Sequence, residues 1–437
     1  MNWEKLLGTK RPSSNPDGPP GSDDHRRAFQ RDWDRIIFST AFRRMHDKTQ
    51  VFPMPDNDVV HSRMTHSLEV ASVGRSLGSM AAQFIGLPTD VAQDISQIVS
   101  AACLAHDIGN PPFGHAGEDA IRRFFETSTV EGLSGRQQTD MTKYEGNAQG
   151  FRILMRLQFE EYGGMRLTAA TLGAFLKYPR ESGEDFDSSY AAAKKFGVFQ
   201  SDAGFLEELA HELGLLPFDG SDGGRGWRRH PLAYLVEAAD DICNAILDLE
   251  DACRLGWLSH EVLDSELRLI AGPKYVESTF KLFPDSRDAT GYLRALAIGS
   301  LVEEIAPLFE SHSGSMLEGK TVQPLVKLST RREILERLGA LAMKYCYENP
   351  RVLEREAAGY AAIHGLLESF IPAVIDSNHE KGSLEDRMAK LIAQRARLGK
   401  TSRENTYERV LRVLDYVSGM TDSYAIESFR RLSGVTT

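Results

Sequence analysis

Two adjacent side chains, His106 and Asp107, are of types that together could do chemistry. They close the segment VAQDISQIVSAACLAHDIGNPP, whose apolar stripe puts His106 on the buried face just before a proline-enforced stop. A buried imidazole beside a carboxylate needs partners, and a divalent cation such as Mn, Fe, Mg or Zn accepts both atom types. Two more segments offer matching groups: His66 in HSRMTHSLEVASVG, and Asp240-Asp241 inside the apolar helical face of YLVEAADDICNAILDLEDA. A His, the His-Asp pair and a distal Asp make four ligands of mixed N and O type, with positions left for water and phosphate oxygens. The competing reading is a set of buried, hydrogen-bonded polar residues. Further on, FGHAGEDAIRRFF places His115 and Glu118 at i and i+3 at a helix start. There the histidine could protonate a leaving oxygen, with the carboxylate as its orienter. Alternatively, Glu118 is a first-turn dipole residue and His115 a surface side chain.

The elements that position these groups read as helices. Apolar residues recur at helical spacing, as in Ile95, Val99, Ala102 and His106, or Leu353, Ala357, Tyr360 and Ile363, and period-two alternation is scarce. The expected class is all-α. Breaks fall at Asn110-Pro111-Pro112, around residues 127 to 143, near 180 to 190, and in GSDGGRGW from Gly220 to Trp227. No repeat recurs at a fixed period. Residues 1–24, rich in Pro, Gly, Ser and Asp, read as a flexible lead-in. Residues 25–260 carry the candidate site, and 261–437 read as a C-terminal helical region packed on that core.

Composition narrows the class. A chain of 437 residues suggests two or three units at roughly 150 residues per domain. No run approaches the ~18 apolar residues of a membrane span, and the N-terminus lacks the apolar stretch and cleavage site of a secretory signal, so a cytoplasmic location is expected. Cys103, Cys243, Cys253 and Cys346 form no CxxC pair, which argues against a disulfide framework and a thiolate zinc site. The net charge of −11 would repel a polyanion except at a local basic patch or through metal ions.

Taken block by block, the chain resembles the deoxynucleoside triphosphate triphosphohydrolases of the HD superfamily. The blocks are FQRDWDRIIFSTAFRRMHDKTQVF, HSRMTHSLEV, AHDIGNPPFGHAGE, YEGNAQGFRIL, LVEAADDICNAILDLEDA, RVLEREAAGYAAIHGLLESF and LDYVSGMTDSYAI, spread over most of residues 26 to 432. The resemblance implies an HD-domain helical core with additional C-terminal helices. It implies one divalent metal, Mn or Mg before Fe, Ni, Co or Zn, on His66, His106, Asp107 and Asp240, with Asp241 the rival to Asp240. The implied reaction is attack of water at the α-phosphorus, releasing a deoxynucleoside and inorganic tripolyphosphate, with His115 as the acid and Glu118 as its partner. Arg63 matches a phosphate-contacting arginine; Asn147, Lys177 and Tyr178 lie in substrate-binding blocks; Asp248 matches a position near the sugar 3′-hydroxyl. Many relatives carry a tyrosine against the deoxyribose where this chain has Asn244, which predicts weaker discrimination at the 2′ position. The resemblance also implies a homo-oligomer, often a hexamer, with dNTP effectors.

Two other readings stay open at this level. The same ligands serve other HD reactions, such as 5′-nucleotidase or phosphodiesterase, and the product separates them. The basic segment Arg387 to Arg403 and the cluster Arg225 to Arg229 suggest a nucleic-acid-responsive regulatory protein, with single-stranded DNA as an effector.

Overall fold

The computed structural model describes residues 1–13, 26–54, 60–183, 194–219, 225–375, 380–396 and 405–434. It is helical almost throughout, as the 3.6-residue spacing predicts. The first helices are α1 (Trp3–Leu6), α2 (Ala28–Ile37) and α3 (Thr40–Arg44), followed by the long pair α4 (Arg63–Phe84) and α5 (Thr89–Ala105). Ser62 caps α4 in a reciprocal capping box with Thr65, which fixes where Arg63 and His66 enter the helix. α4 and α5 pack closely because Gly74 of α4 sits against the Cys103 side chain, leaving no room for a Cβ. Ser96 and Ser100 of α5 also donate hydroxyls to the Arg75 and Ala71 carbonyls of α4, at 2.9 and 3.0 Å.

Next come α6 (Gly114–Thr127), α7 (Gly135–Thr142), α8 (Gly146–Arg152), α9 (Ala169–Phe175) and α10 (Ala203–Leu213). The break expected around 127 to 143 therefore contains a helix, started by a Ser134–Gln137 capping box. Among the described residues the one sheet is a small antiparallel hairpin, β1 (Pro217–Asp219) with β2 (Arg225–Trp227). The end of the Gly-rich stretch is thus a strand; Gly220 to Gly224 lie outside the described residues, as do 184 to 190 of the earlier expected break. The remaining helices are α11 (Leu232–Arg254), α12 (His260–Ala271), α13 (Glu277–Phe280), α14 (Ser286–Leu317), α15 (Arg332–Ala342), α16 (Pro350–Ile375), α17 (Leu384–Arg395), α18 (Thr406–Ser418) and α19 (Asp422–Ser433).

The apolar interior has two parts, and the division does not run through residue 260. One core takes α4, α5 and α11 together with residues of α12, α14 and α15, beyond the expected boundary. The other joins α6 and α7 to α16, α18 and α19. Residues 1–13 also depart from the expected lead-in. Leu6 is fully buried in the first core, and the N-terminal amine donates to the Leu317 carbonyl at 2.6 Å. Met1, Trp3 and Leu7 pack against the same core beside Leu6; residues 14–24 lie outside the described residues.

Contrary to the count of apolar runs, α16 is long and apolar enough to cross a membrane by length and composition. Half of its apolar window is buried inside the protein, where it packs on α6, α17, α18 and α19 as a core helix.

Candidate active site

His106 is the C-cap of α5 and keeps helical backbone angles, φ −54° and ψ −34°. Its Nδ1 lies 2.7 Å from the Cys103 carbonyl, which can only accept, so Nδ1 carries the hydrogen. Nε2 is buried with no hydrogen-bond partner. Around it, Asp240 Oδ1 stands at 3.5 Å and Asp107 Oδ1 at 3.6 Å, and His66 Nε2 is 3.2 Å from the same Asp240 oxygen. His66, His106 and Asp107 each present a donor atom within 4.8 Å of the others. A buried, pinned imidazole with an unshared nitrogen facing carboxylate oxygens is the donor arrangement of a divalent metal site.

Electrostatics point the same way. Burial disfavours charge on His106, but Asp107 and Asp240 outweigh it and raise the imidazole to about 9. Burial likewise pushes the Asp240 carboxyl up, yet His106 and His66 hold it well below the usual carboxylate range. The group demands positive charge among its carboxylates.

α11 separates its two adjacent aspartates. Asp240 faces the imidazoles, and Asn244, one turn on, donates to its Oδ1 at 2.8 Å. Burial pushes the neighbouring Asp241 up to about 7, Glu237 and Asp240 adding to the rise and Lys177 opposing it. Lys177 Nζ lies 3.4 Å from Glu237 Oε1, and buried Arg229 holds Glu237 Oε2 at 2.8 Å and the Lys177 carbonyl at 2.7 Å. Arg229 also lies over the Tyr178 ring, 5.7 Å from its centroid. The cluster Arg225 to Arg229 is therefore not a continuous basic surface: Arg225 pairs with Glu207, Arg228 covers Phe218, and Arg229 is interior. Of the segment 387 to 403, residues up to Arg395 lie in α17, and those from 397 on lie outside the described residues.

Other expected residues fall at varying distances from this group. Arg63, buried in the first turn of α4, pairs with Asp107 Oδ2. His115 is exposed in the first turn of α6. Glu118 does not pair with it: its Oε1 accepts the Gly146 amide at 2.7 Å, and its Oε2 lies 3.2 Å from Arg122. The i,i+3 spacing permitted the expected pair, but a buried carboxylate is satisfied by the donors nearest it. Asn147 follows Gly146 in α8, beside that carboxylate. Asp248 lies two turns along α11 from Asp240, buried, accepting the Tyr347 hydroxyl and pushed by burial up to about 6.

Asn244 is hydrogen-bonded on two sides. Besides Asp240, it accepts from Gln50 Nε2 at 3.3 Å. Gln50 was not among the residues expected, nor was Asn110, which donates to Asp107 Oδ1 at 2.6 Å. Both sit in motif blocks, KTQVF and HDIGN, but an amide has no spacing signature, and Asn110 read only as a helix stop.

Comparison with known families agrees with this arrangement. The HD domain family matches residues 63–145, and the phosphohydrolase-associated domain matches residues 328–431. The chain is 40% identical to a deoxyguanosinetriphosphate triphosphohydrolase-like protein of Synechocystis sp., over 100% of both chains. It is 39% identical to one of Pseudomonas aeruginosa over 99% of both. It is 30% identical to a deoxyguanosinetriphosphate triphosphohydrolase of Yersinia pseudotuberculosis, again over 99% of both.

Proposed function

The chain belongs to the deoxyguanosinetriphosphate triphosphohydrolase family of HD-domain enzymes, and on that premise we propose that it hydrolyses deoxynucleoside triphosphates to a deoxynucleoside and inorganic tripolyphosphate in a metal-dependent reaction. The observation that carries the metal dependence is His106 Nε2, buried without a partner while its Nδ1 is committed to the Cys103 carbonyl. His66, His106, Asp107 and Asp240 would hold the ion, manganese or magnesium by their mixed N and O character. When bound, such a cation supplies charge neutralisation for a phosphate group and makes a water more acidic.

The chain's own residues supply the rest. Water oxygen bonds to the α-phosphorus and gives up a proton to solvent, the bond from phosphorus to the 5′ oxygen breaks, and that oxygen takes a proton from His115, which solvent then restores. His115 is exposed, so its imidazole is open to a bound molecule and to solvent protons. Lys177, whose ammonium is kept charged by Glu237 against the cost of burial, adds positive charge near Asp240 and Asp241. Glu118 acts on α8 and Arg122 rather than on His115, so it shapes the wall behind the acid.

Incubation with each dNTP and with GTP, with added Mn or Mg and with chelator, tests this reading, with products identified by chromatography and mass. Deoxynucleoside plus tripolyphosphate, lost with chelator and in His106→Ala, is the expected result. Orthophosphate or pyrophosphate from the same nucleotides would reject it in favour of another phosphohydrolase reaction.

A further inference from the structure

Phe113 stands two residues before His115 and holds φ at +62°, in the left-handed region. A bulky side chain stays there only where its surroundings over-determine it. It is also the N-cap of α6, with no side-chain capping bond of its own. Two contacts that pin it come from the far end of the chain. Asp422, the buried first residue of α19, accepts the Phe113 amide through Oδ1 at 3.0 Å. Its Oδ2 accepts the Thr49 amide at 2.9 Å and the Thr49 hydroxyl. On the other side, the Phe113 ring lies against Gly359 of α16, where a Cβ would overlap the ring carbons.

The turn that precedes α19 reaches the loop after α5 by a second route. Buried Lys48 donates to the Ser418 carbonyl at 2.7 Å and to the Asn110 carbonyl at 2.6 Å, and the Asn110 amide holds Asp107. The Lys48 carbonyl accepts the Arg63 amide at 3.0 Å, at the start of α4. Residues 47 to 49 are thus a strap between the C-terminal helices and two segments of the candidate site.

We propose that Asp422 and Gly359 are positioning residues: through the strained backbone of Phe113, the C-terminal helices set the start of α6 and so the place of His115. The proposal rests on the acid role given to His115 above. Asp422→Ala, Gly359→Ala and Thr49→Val in the full chain test it. Removing the carboxylate leaves both the Phe113 and the Thr49 amides without this acceptor. Thr49→Val removes a partner of Asp422 without touching Phe113.

In Asp422→Ala and Gly359→Ala, kcat for dGTP should fall about 100-fold, the order expected for a displaced catalytic group, with KM and metal content near wild type. The loss should largely vanish with bis(p-nitrophenyl) phosphate, whose leaving group departs without a proton. Peptides covering residues 108 to 116 should exchange amide hydrogen faster in both variants and at the wild-type rate in Thr49→Val. Equal losses on both substrates, or unchanged exchange at 108 to 116, would overturn the proposal. If wild type does not turn over dGTP, the proposed function fails, and the exchange measurement still decides whether Asp422 pins Phe113. If Asp422→Ala does not fold, Gly359→Ala decides by the same two readouts.

Discussion

At the scale of single residues, the site is a set of side chains whose second atoms are already spoken for. His106 commits Nδ1 to the Cys103 carbonyl, Asp107 is shared by Arg63 and Asn110, and Asp240 is held by Asn244. Such outer contacts orient a ligand and tune its basicity, and removing one typically costs ~10–100-fold in metal affinity. Asn244→Ala should therefore weaken Mn retention by about that factor while the fold persists, as read by metal titration against thermal stability. Wild-type affinity in Asn244→Ala would count against this orienting role.

At the scale of elements, α1 shows how a short helix is kept in place. The His230 ring, fully buried ahead of α11, donates through Nε2 to the Leu6 carbonyl at 2.9 Å and accepts the Leu232 amide at Nδ1 at 3.1 Å. Burial pushes this imidazole down to about 4 from an ordinary 6.5, the bond to Leu6 opposing the shift only in part. The unfolded chain thus takes up a proton near 6.5 that the folded chain refuses until about 4. The contribution of neutral His230 is full above about 6.5 and drains away as pH falls toward 4. Scanning calorimetry should show Tm falling from pH 7 to pH 5 more steeply in wild type than in His230→Gln; parallel slopes would refute the assignment. Leu6→Ala, which empties a fully buried site at the same junction, should cost roughly 2–5 kcal/mol.

At the scale of the whole molecule, the second core determines what can be separated. α6 begins beside the candidate site, yet its Ile121, Phe124 and Phe125 are buried in the core shared with α16, α18 and α19. A chain ending at residue 349 would expose those side chains as one apolar patch. It should bind a hydrophobic dye and aggregate, and should lose the protection of α6 against proteolysis, whereas the full chain does not. A monomeric, protease-resistant 1–349 fragment would show that α6 needs no C-terminal partner. Matches to an HD domain and to a phosphohydrolase-associated domain as distinct regions do not make them independent bodies, since the packing crosses between them.

Much of this was legible from the chain alone, because the information was local. Helical periodicity recurs every few residues, so the all-α class and the helices carrying His66, His106 and Asp240 follow from apolar spacing. Residue chemistry also nominated the His-Asp pair as a place wanting a cation. The rest depended on groups far apart in sequence. His66 and Asp240 are 174 residues apart, and only the packing of α4 and α5 with α11 brings their atoms to 3.2 Å. Asp240 and Asp241 are identical in kind and adjacent, yet the imidazoles hold Asp240 low while burial pushes Asp241 up, because neighbouring residues on a helix point about 100° apart. Glu118 found the Gly146 amide, 28 residues on, in place of the histidine three residues before it. Spacing states which contacts a chain permits, whereas burial decides which are made, because a desolvated polar atom is bound by whichever partner the fold brings to it.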